Sequence, residues 1–355
     1  MKIGILTYHR TLNHGACLQA LATRLLLEHL GHKVYYVDYW PKYHADSYKF
    51  FSFQRFLKMD IGDKVNYLRR IVTFKNFYRM QSAFHIFHSQ YILPYCAKIN
   101  EPFDVVVYGS DQIWRVQRAL KDYNPIYFGN DIISAKKKVA FSASMGKLPV
   151  TVKQKDVVRR LVGNFDMIGV REEDLKNLLV ALGVQNVKLT LDPTLLLSKN
   201  EWMRVLNIKN NTIEKYILVY SVGKPAFNMQ DIYNYAKDNG CVVKRLHSSA
   251  LFKDDVNNIS AIGPRTFVEL INNAECVFTS SFHGLAFSLI FEKEFYASFN
   301  KNPNRAKTLL DKLGLLNRYS EPNASLKRQQ PINYFYHRQK LEEERVSSMS
   351  FLKNI

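Results

Sequence analysis

Cysteine is scarce in this chain. Cys17, Cys96, Cys241 and Cys276 are the only four, and they stand far apart with no CxxC spacing. That argues against a zinc site and a disulfide framework and fits a reducing compartment. No uninterrupted apolar run approaches the roughly 20 residues that cross a bilayer. The opening Met1–Tyr8 is too short for a signal-peptide core, so a cytoplasmic protein is expected. The first glycine-bearing loop lacks GxGxxG, so the dinucleotide fingerprint is absent. RNP, zinc-finger and helix-turn-helix patterns are absent too, and no nucleic acid is expected as a partner. Carboxylates and histidines form no cluster with ligand spacing, so no metal or cofactor is called for. Internal repeats and low-complexity segments are also missing. Acidic residues are few, 31 against 50 Lys and Arg, for a net charge of +19. Such a balance attracts something anionic, whether nucleic acid, a membrane surface or a phosphorylated small molecule.

What is present is apolar enough to fold, at 47% hydrophobic and 13% aromatic. The length suggests two domains. Residues 3–8 read as a buried strand, followed by a polar loop, His9–Gly15. Helical spacing then runs over Ala16–Leu30 with Gly31 as its cap, before a strand at Val34–Tyr39. This strand–loop–helix–strand unit opens a doubly wound parallel domain. Residues 42–90 change character. Lys42, Lys49, Arg55, Lys58, Lys64, Arg69, Arg70, Lys75 and Arg79 are interleaved with many Phe and Tyr. Val65, Leu68 and Val72, and then Phe74, Phe77, Gln81 and Phe84, have helical spacing, which predicts one or two basic amphipathic helices. Their ordinary role is a core-packed face with a solvated charged face. Their functional reading is contact with an anionic membrane surface or a long anionic acceptor.

Four later strands each end in polar groups: Asp104–Tyr108 before Gly109-Ser110-Asp111, Lys138–Ser144, Asp166–Val170 before Arg171-Glu172, and Lys188–Leu191 before Asp192-Pro193-Thr194. Asp111 and Asp192 are also good capping residues, and Arg171 can simply pair with a carboxylate. Polarity rises around 208–212, read as a linker. A second α/β unit starts at Tyr216, and its strand Cys276–Phe278 runs into Thr279-Ser280-Ser281-Phe282-His283-Gly284. Hydroxyls, an imidazole and a glycine at a strand's carboxyl end, where a helix begins, suit an anion and a movable proton. The expected organisation is an N-terminal Rossmann-like domain over 1–207 with the insertion at about 42–90. A C-terminal Rossmann-like domain over 213–320 and a polar, partly helical tail over 321–355 complete it. The two domains face each other across a cleft in a GT-B-like arrangement.

In this order the motifs resemble the polysaccharide pyruvyl transferase family. The resemblance rests on Asn13–Ala20, Gly109–Trp114, Ser142–Gly146, Val170-Arg171-Glu172, Leu191–Thr194, Ser281–Leu285 and Arg305–Leu310, and it runs from about residue 3 to about residue 318. It implies a cytoplasmic enzyme, with the inner face of the membrane as one station. The enzyme would move the pyruvyl group of phosphoenolpyruvate onto two hydroxyls of a sugar as a ketal and release phosphate. The acceptor would be a polysaccharide or lipid-linked glycan precursor of a capsule or exopolysaccharide. Under this reading His283 is the general acid or a phosphate ligand, and Asp111 a candidate base. Arg171 and Arg305 hold the donor's carboxylate and phosphate. Ser281, Gly284, Asn13 and Gly15 line the donor site. Some members carry an arginine two positions before the motif histidine. Here that position is Ser281, which shifts anion binding onto other groups. The alternatives are a nucleotide-sugar glycosyltransferase of the same layout and a non-catalytic basic protein that docks on membrane or nucleic acid.

Overall fold

The structure, a computed structural model, describes residues 1–50, 56, 57, 60, 62, 64, 65, 68, 73–209, 214–250, 252 and 254–355. Twelve strands among them form two sheets. The first sheet takes β1 (Lys2–Leu6), β2 (Lys33–Val37), β3 (Cys96–Ala97), β4 (Phe103–Tyr108), β5 (Ala135–Ala143), β6 (Met167–Val170) and β7 (Val187–Leu189). Their spatial order is β3-β2-β1-β4-β5-β6-β7, with every pairing parallel. The second takes β8 (Tyr216–Ser221), β9 (Val242–His247), β10 (Asn258–Ile259), β11 (Cys276–Thr279) and β12 (Glu294–Ala297), in the order β10-β9-β8-β11-β12, again parallel. Both orders reverse direction beside the domain's first strand, at β1/β4 and at β8/β11. Doubly wound sheets open their ligand crevice at that point. These are two Rossmann-like domains in a GT-B-like pair.

The strands read as near-continuous apolar runs because helices cover both faces of a parallel sheet. Ile3, Ile5, Val105, Val107 and Val139 are fully or almost fully enclosed. The first apolar core does not stop at the domain boundary. It continues from β1 and the His14–His29 helix through Trp202 to Phe267 and Phe287 of the second domain. The Trp202 indole meets Phe287 edge-on at 5.1 Å, and its N–H donates to Thr194 O at 3.0 Å.

Three local outcomes differ from the sequence pattern. The first helix starts at His14 rather than Ala16, because Asn13 caps it by accepting the Ala16 N–H at 3.0 Å. Arg305 is not at the end of a strand: it sits in the first turn of the Asn304–Lys312 helix. In the insertion, the Phe74–Tyr91 helix buries Phe77, Phe84 and Phe87. Val65 and Leu68 are 50% and 44% exposed and do not supply the buried stripe their spacing predicts. Arg55, Lys58, Arg69, Arg70 and Val72 of that predicted stretch lie outside the described residues, as do linker residues 210–212. The insertion helix also reaches the second domain, where Asn76 donates to Phe252 O at 2.7 Å and Arg79 pairs with Asp254 at 3.0 Å.

The chain closes with a 20-residue helix, Tyr334–Lys353, that lies across both domains. Up to its middle it is tied to the second domain: Lys312 pairs with Glu344 at 2.7 Å and Arg338 with Glu292 at 2.7 Å. Its second half is tied to the first domain. Arg345 donates to Leu195 O at 2.6 Å, Ser348 Oγ accepts the Leu191 N–H at 2.9 Å, and Phe351 stacks on Phe141. No helix among the described residues is long and apolar enough to cross a membrane.

Candidate functional site

The carboxyl ends of the two sheets converge on His283. β11 ends at Thr279, and Ser281 caps the helix Phe282–Ile290 by accepting the Gly284 N–H at 3.3 Å. Gly284 is required by close approach, since a Cβ there would lie 2.3 Å from Thr279 Oγ1. His283 follows Phe282 in the first turn and projects onto the other domain. A Cβ on Gly15 would lie 1.9 Å from its Nδ1, so the imidazole rests on the bare backbone of the His14–His29 helix. The residue is 8% exposed.

Its other nitrogen faces Asp192. His283 Nε2 is 3.5 Å from Asp192 Oδ2, and the same oxygen is ion-paired with Arg171 Nη1 and accepts Ser110 Oγ–H at 3.1 Å. Asp192 Oδ1 accepts from Thr194 N and Oγ1 at 3.0 and 2.7 Å, so the residue is a helix cap and a site carboxylate at once. Burial would raise its pKa, but His283 and Arg171 outweigh burial and hold the carboxyl well below the usual range. Burial acts against the Arg171 charge as well. Asp192, with Glu172 and Asp111 behind it, more than compensates and keeps the guanidinium protonated.

Arg305 comes to the same place from the second domain. Its guanidinium lies 4.9 Å from the centre of the Phe282 ring, and that of Arg171 lies 5.4 Å from it. Both are cation–π distances. Burial weakens the charge of Arg305 and Arg171 weakens it further, while Glu172, Asp111 and Asp192 oppose this. Glu172 is buried beside both arginines, with Oε1 accepting from Ser144 Oγ. Burial pushes its carboxyl above the ordinary range against the pull of Arg171 and Arg305. The most informative feature is what lacks a partner. Arg171 Nε and Nη2 and Arg305 Nε and Nη1 are buried with no hydrogen-bond acceptor. Buried N–H donors are rarely left so, and each unmade bond costs about 1–3 kcal/mol or more for a charged group. Four buried, unpartnered guanidinium nitrogens on two arginines that share the Phe282 ring suit a small, multiply charged anion.

The structure therefore brings together His283, Arg171, Arg305, Gly15 and Gly284. Asn13 and Ser281 adjoin them as helix caps whose side-chain oxygens already accept backbone N–H groups. Asp111 is half-buried with φ of 46°, and its carboxylate accepts the Gln112 N–H at 2.7 Å. Its charge is felt by Arg171 and Arg305 on one side and by Tyr8, His44 and Tyr48 on the other. Sequence reasoning placed Asp192, Glu172 and Phe282 inside the motifs that carry the resemblance but gave none of them a role in the site. The usable signal was present in each case. Glu172 follows Arg171, Phe282 precedes His283, and Asp192 ends a strand that points at the crevice.

A family model described as polysaccharide pyruvyl transferase matches residues 13–298. No curated protein matches the chain. Similar solved structures include the UDP-GlcNAc 2-epimerase from Neisseria meningitidis bound to UDP-GlcNAc, at 11% identity, covering 100% of this chain and 94% of that one with a TM-score of 0.43. The glycosyltransferase SnogD from Streptomyces nogalater is similar at 11% identity, covering 99% of this chain and 95% of that one with a TM-score of 0.41.

Proposed function

The chain belongs to the polysaccharide pyruvyl transferase family, and from that premise we propose that it transfers the pyruvyl group of phosphoenolpyruvate to two hydroxyls of a sugar residue as a ketal. The observation that carries this reading is the pair of buried guanidiniums with unpartnered N–H groups beside His283. Phosphoenolpyruvate bears a carboxylate and a phosphate on the same carbon, C2, and two planar N–H forks that both lie against Phe282 suit two neighbouring anionic groups.

In the proposed sequence, Arg171 and Arg305 bind the donor. His283, oriented by Asp192, gives a proton to the methylene carbon, which becomes the methyl group and leaves C2 electrophilic. A sugar hydroxyl adds to C2 and yields its proton to Asp111, and from there His283 is recharged. A second hydroxyl then adds to C2 as the bond to phosphate breaks, and its proton leaves with the phosphate. The exclusion of water from a site this enclosed strengthens each electrostatic contact.

The test is thermal unfolding with phosphoenolpyruvate and with inorganic phosphate. A ligand at 100 times its dissociation constant stabilises by about 2.7 kcal/mol. Phosphoenolpyruvate should raise the midpoint well beyond phosphate, and Arg305→Ala should remove most of that rise. His283→Ala should lower turnover on the order of 10²–10⁴-fold. A rise with phosphoenolpyruvate no larger than with phosphate would overturn the donor assignment. Unchanged turnover in folded His283→Ala would remove its catalytic role.

The reading extends to a lipid-linked acceptor at an anionic membrane surface. The net charge of +19 and the exposed Phe74 and Ile86 on the insertion helix support that extension. Co-sedimentation with anionic vesicles should fall as salt rises, and equal pelleting with neutral vesicles would refute it.

A further inference from the structure

His14 stands between the cap Asn13 and the glycine that bears His283, yet its own side chain leaves the first domain. Nε2 lies 3.1 Å from Ile262 O and Nδ1 lies 3.5 Å from the Tyr220 hydroxyl, both in the second domain. The ring stacks on Phe267, with centres 4.9 Å apart and planes 10° apart, and Phe84 of the insertion helix is 5.1 Å away. A carbonyl oxygen only accepts, so Nε2 carries the ring proton and Nδ1 is left as an acceptor facing the Tyr220 O–H. Burial among aromatic rings keeps the imidazole neutral, lowering its pKa to about 4. The two nitrogens therefore ask for two different partners and accept one orientation of the ring.

Both partners are themselves held in place. Ile262 precedes Gly263, the cap of the Pro264–Asn273 helix that carries Phe267. A Cβ on Gly263 would lie 2.8 Å from Ala83 O, so this loop rests directly on the insertion helix. Tyr220 lies near the carboxyl end of β8, where its carbonyl accepts Ser280 N–H at 3.0 Å and Thr279 Oγ1–H at 3.1 Å. A Cβ on Gly284 would lie 3.2 Å from Cδ1 of the Tyr220 ring. The turn that carries His283 thus meets two surfaces. Tyr220 packs against Gly284, and Gly15 packs against the imidazole. His14 is joined to both surfaces, to Gly15 through the chain and to Tyr220 through Nδ1.

We propose that His14 is a positioning residue of the transfer reaction: its contacts with Ile262 and Tyr220 fix the first turn of the His14–His29 helix against the second domain, and so fix where the His283 imidazole stops beside Asp192. His14 acts through His283 and does not itself touch the donor. The proposal rests on the transferase reading for the reaction it serves, whereas the placement of His283 by His14 stands on packing alone.

Two substitutions separate this role from plain packing. His14→Phe keeps a flat ring against Phe267 and removes both polar contacts. His14→Gln supplies an amide N–H for Ile262 O and an oxygen for the Tyr220 O–H. Phosphate release from phosphoenolpyruvate, with a panel of methyl pyranosides as acceptors, should fall about tenfold to a hundredfold in His14→Phe. Its KM for phosphoenolpyruvate, and the thermal shift with it, should stay as in the wild type, and His14→Gln should recover most of the loss. Where His14→Phe does not fold, Tyr220→Phe carries the test, since it removes only the hydroxyl and leaves the ring on Gly284. Wild-type turnover in the folded variant, or a loss that His14→Gln does not recover, would overturn the proposal. A second arm needs no reaction. In protein labelled with ¹⁵N in its histidine rings, the His283 signals are identified by their absence from His283→Ala. They should be displaced in His14→Phe and return in His14→Gln, and undisplaced signals would overturn the proposal. Displaced and restored signals in a protein that gives no thermal shift with phosphoenolpyruvate would support the placement of His283 by His14 and count against the donor reading alone.

Discussion

Gly15 and His283 lie 268 residues apart in sequence and in different domains, yet they share one contact whose strength can be worked out from geometry. Replacing Gly15 with Ala places a Cβ 1.9 Å from Nδ1, 2.2 Å from Cγ and 2.6 Å from Cε1 of the imidazole. Real Cβ contacts stay beyond 3.0 Å, so ring and helix must separate by about 1 Å. Overpacking of this kind costs roughly 1–3 kcal/mol. The opposing effect is intrinsic. Gly15 lies within the His14–His29 helix, where Ala in place of Gly gains up to about 1 kcal/mol. The sign of the substitution therefore depends on residue 283. With His283 present, Gly15→Ala should destabilise the protein or at best be neutral. In His283→Ala protein, where the obstacle is gone, it should stabilise. Urea denaturation of wild type, both single variants and the double variant reads the difference as a coupling energy of about 1–3 kcal/mol. A displacement of about 1 Å at a catalytic group can cost on the order of 10² in rate, so Gly15→Ala should also lose turnover while remaining folded. The same Gly15→Ala effect in both backgrounds would show that imidazole and helix are not in contact in solution, and the site geometry would fall with it.

Asp192→Asn keeps the cap to Thr194 but leaves the buried Arg171 without its counter-charge, and should cost about 3–5 kcal/mol. Urea midpoints indistinguishable from wild type would refute the pairing. Acid should weaken the whole protein through its buried histidines. Burial lowers the pKa of His9, His14 and His88 from 6.5 to about 4. Between those values the unfolded chain takes up protons that the folded chain refuses. The stability is therefore full above pH 6.5 and falls as pH drops, by up to about 1.4 kcal/mol per pH unit for each group. Thermal midpoints from pH 7.5 to 4.5 should fall, and less steeply for His14→Gln; equal slopes would exclude His14 as a contributor.

The strands and their polar ends were readable because parallel strands are enclosed on both faces and show as unbroken apolar runs. Gly31 and Gly240, both with positive φ, marked helix ends for the same local reason. The start of the first helix was less plain. His14 and Gly15 look like loop residues, and only the Asn13 cap assigns them to the helix. Pairings across long sequence distance were not readable at all. Nothing near Asp192 announces that His283 will stop 3.5 Å away, because that distance is set by how two sheets pack. Phe282 stood in the motif beside the histidine with no role of its own, and its contact with two guanidiniums emerges only when Arg171 and Arg305 arrive from separate domains. The tail read as polar and only partly helical because the closing helix spreads its apolar residues around its circumference. It has two different surfaces to cover rather than one.

That last helix has a mechanical consequence. The backbone passes from the first domain to the second between Leu206 and Tyr216, and the Tyr334–Lys353 helix carries it back onto the first. Two bodies joined by one cord can twist and slide freely. Joined by two, they keep chiefly the swing about the line through both attachments. Here the insertion helix and the apolar core that crosses the domain boundary join them again, so that swing is restrained as well and the site between the sheets keeps its geometry.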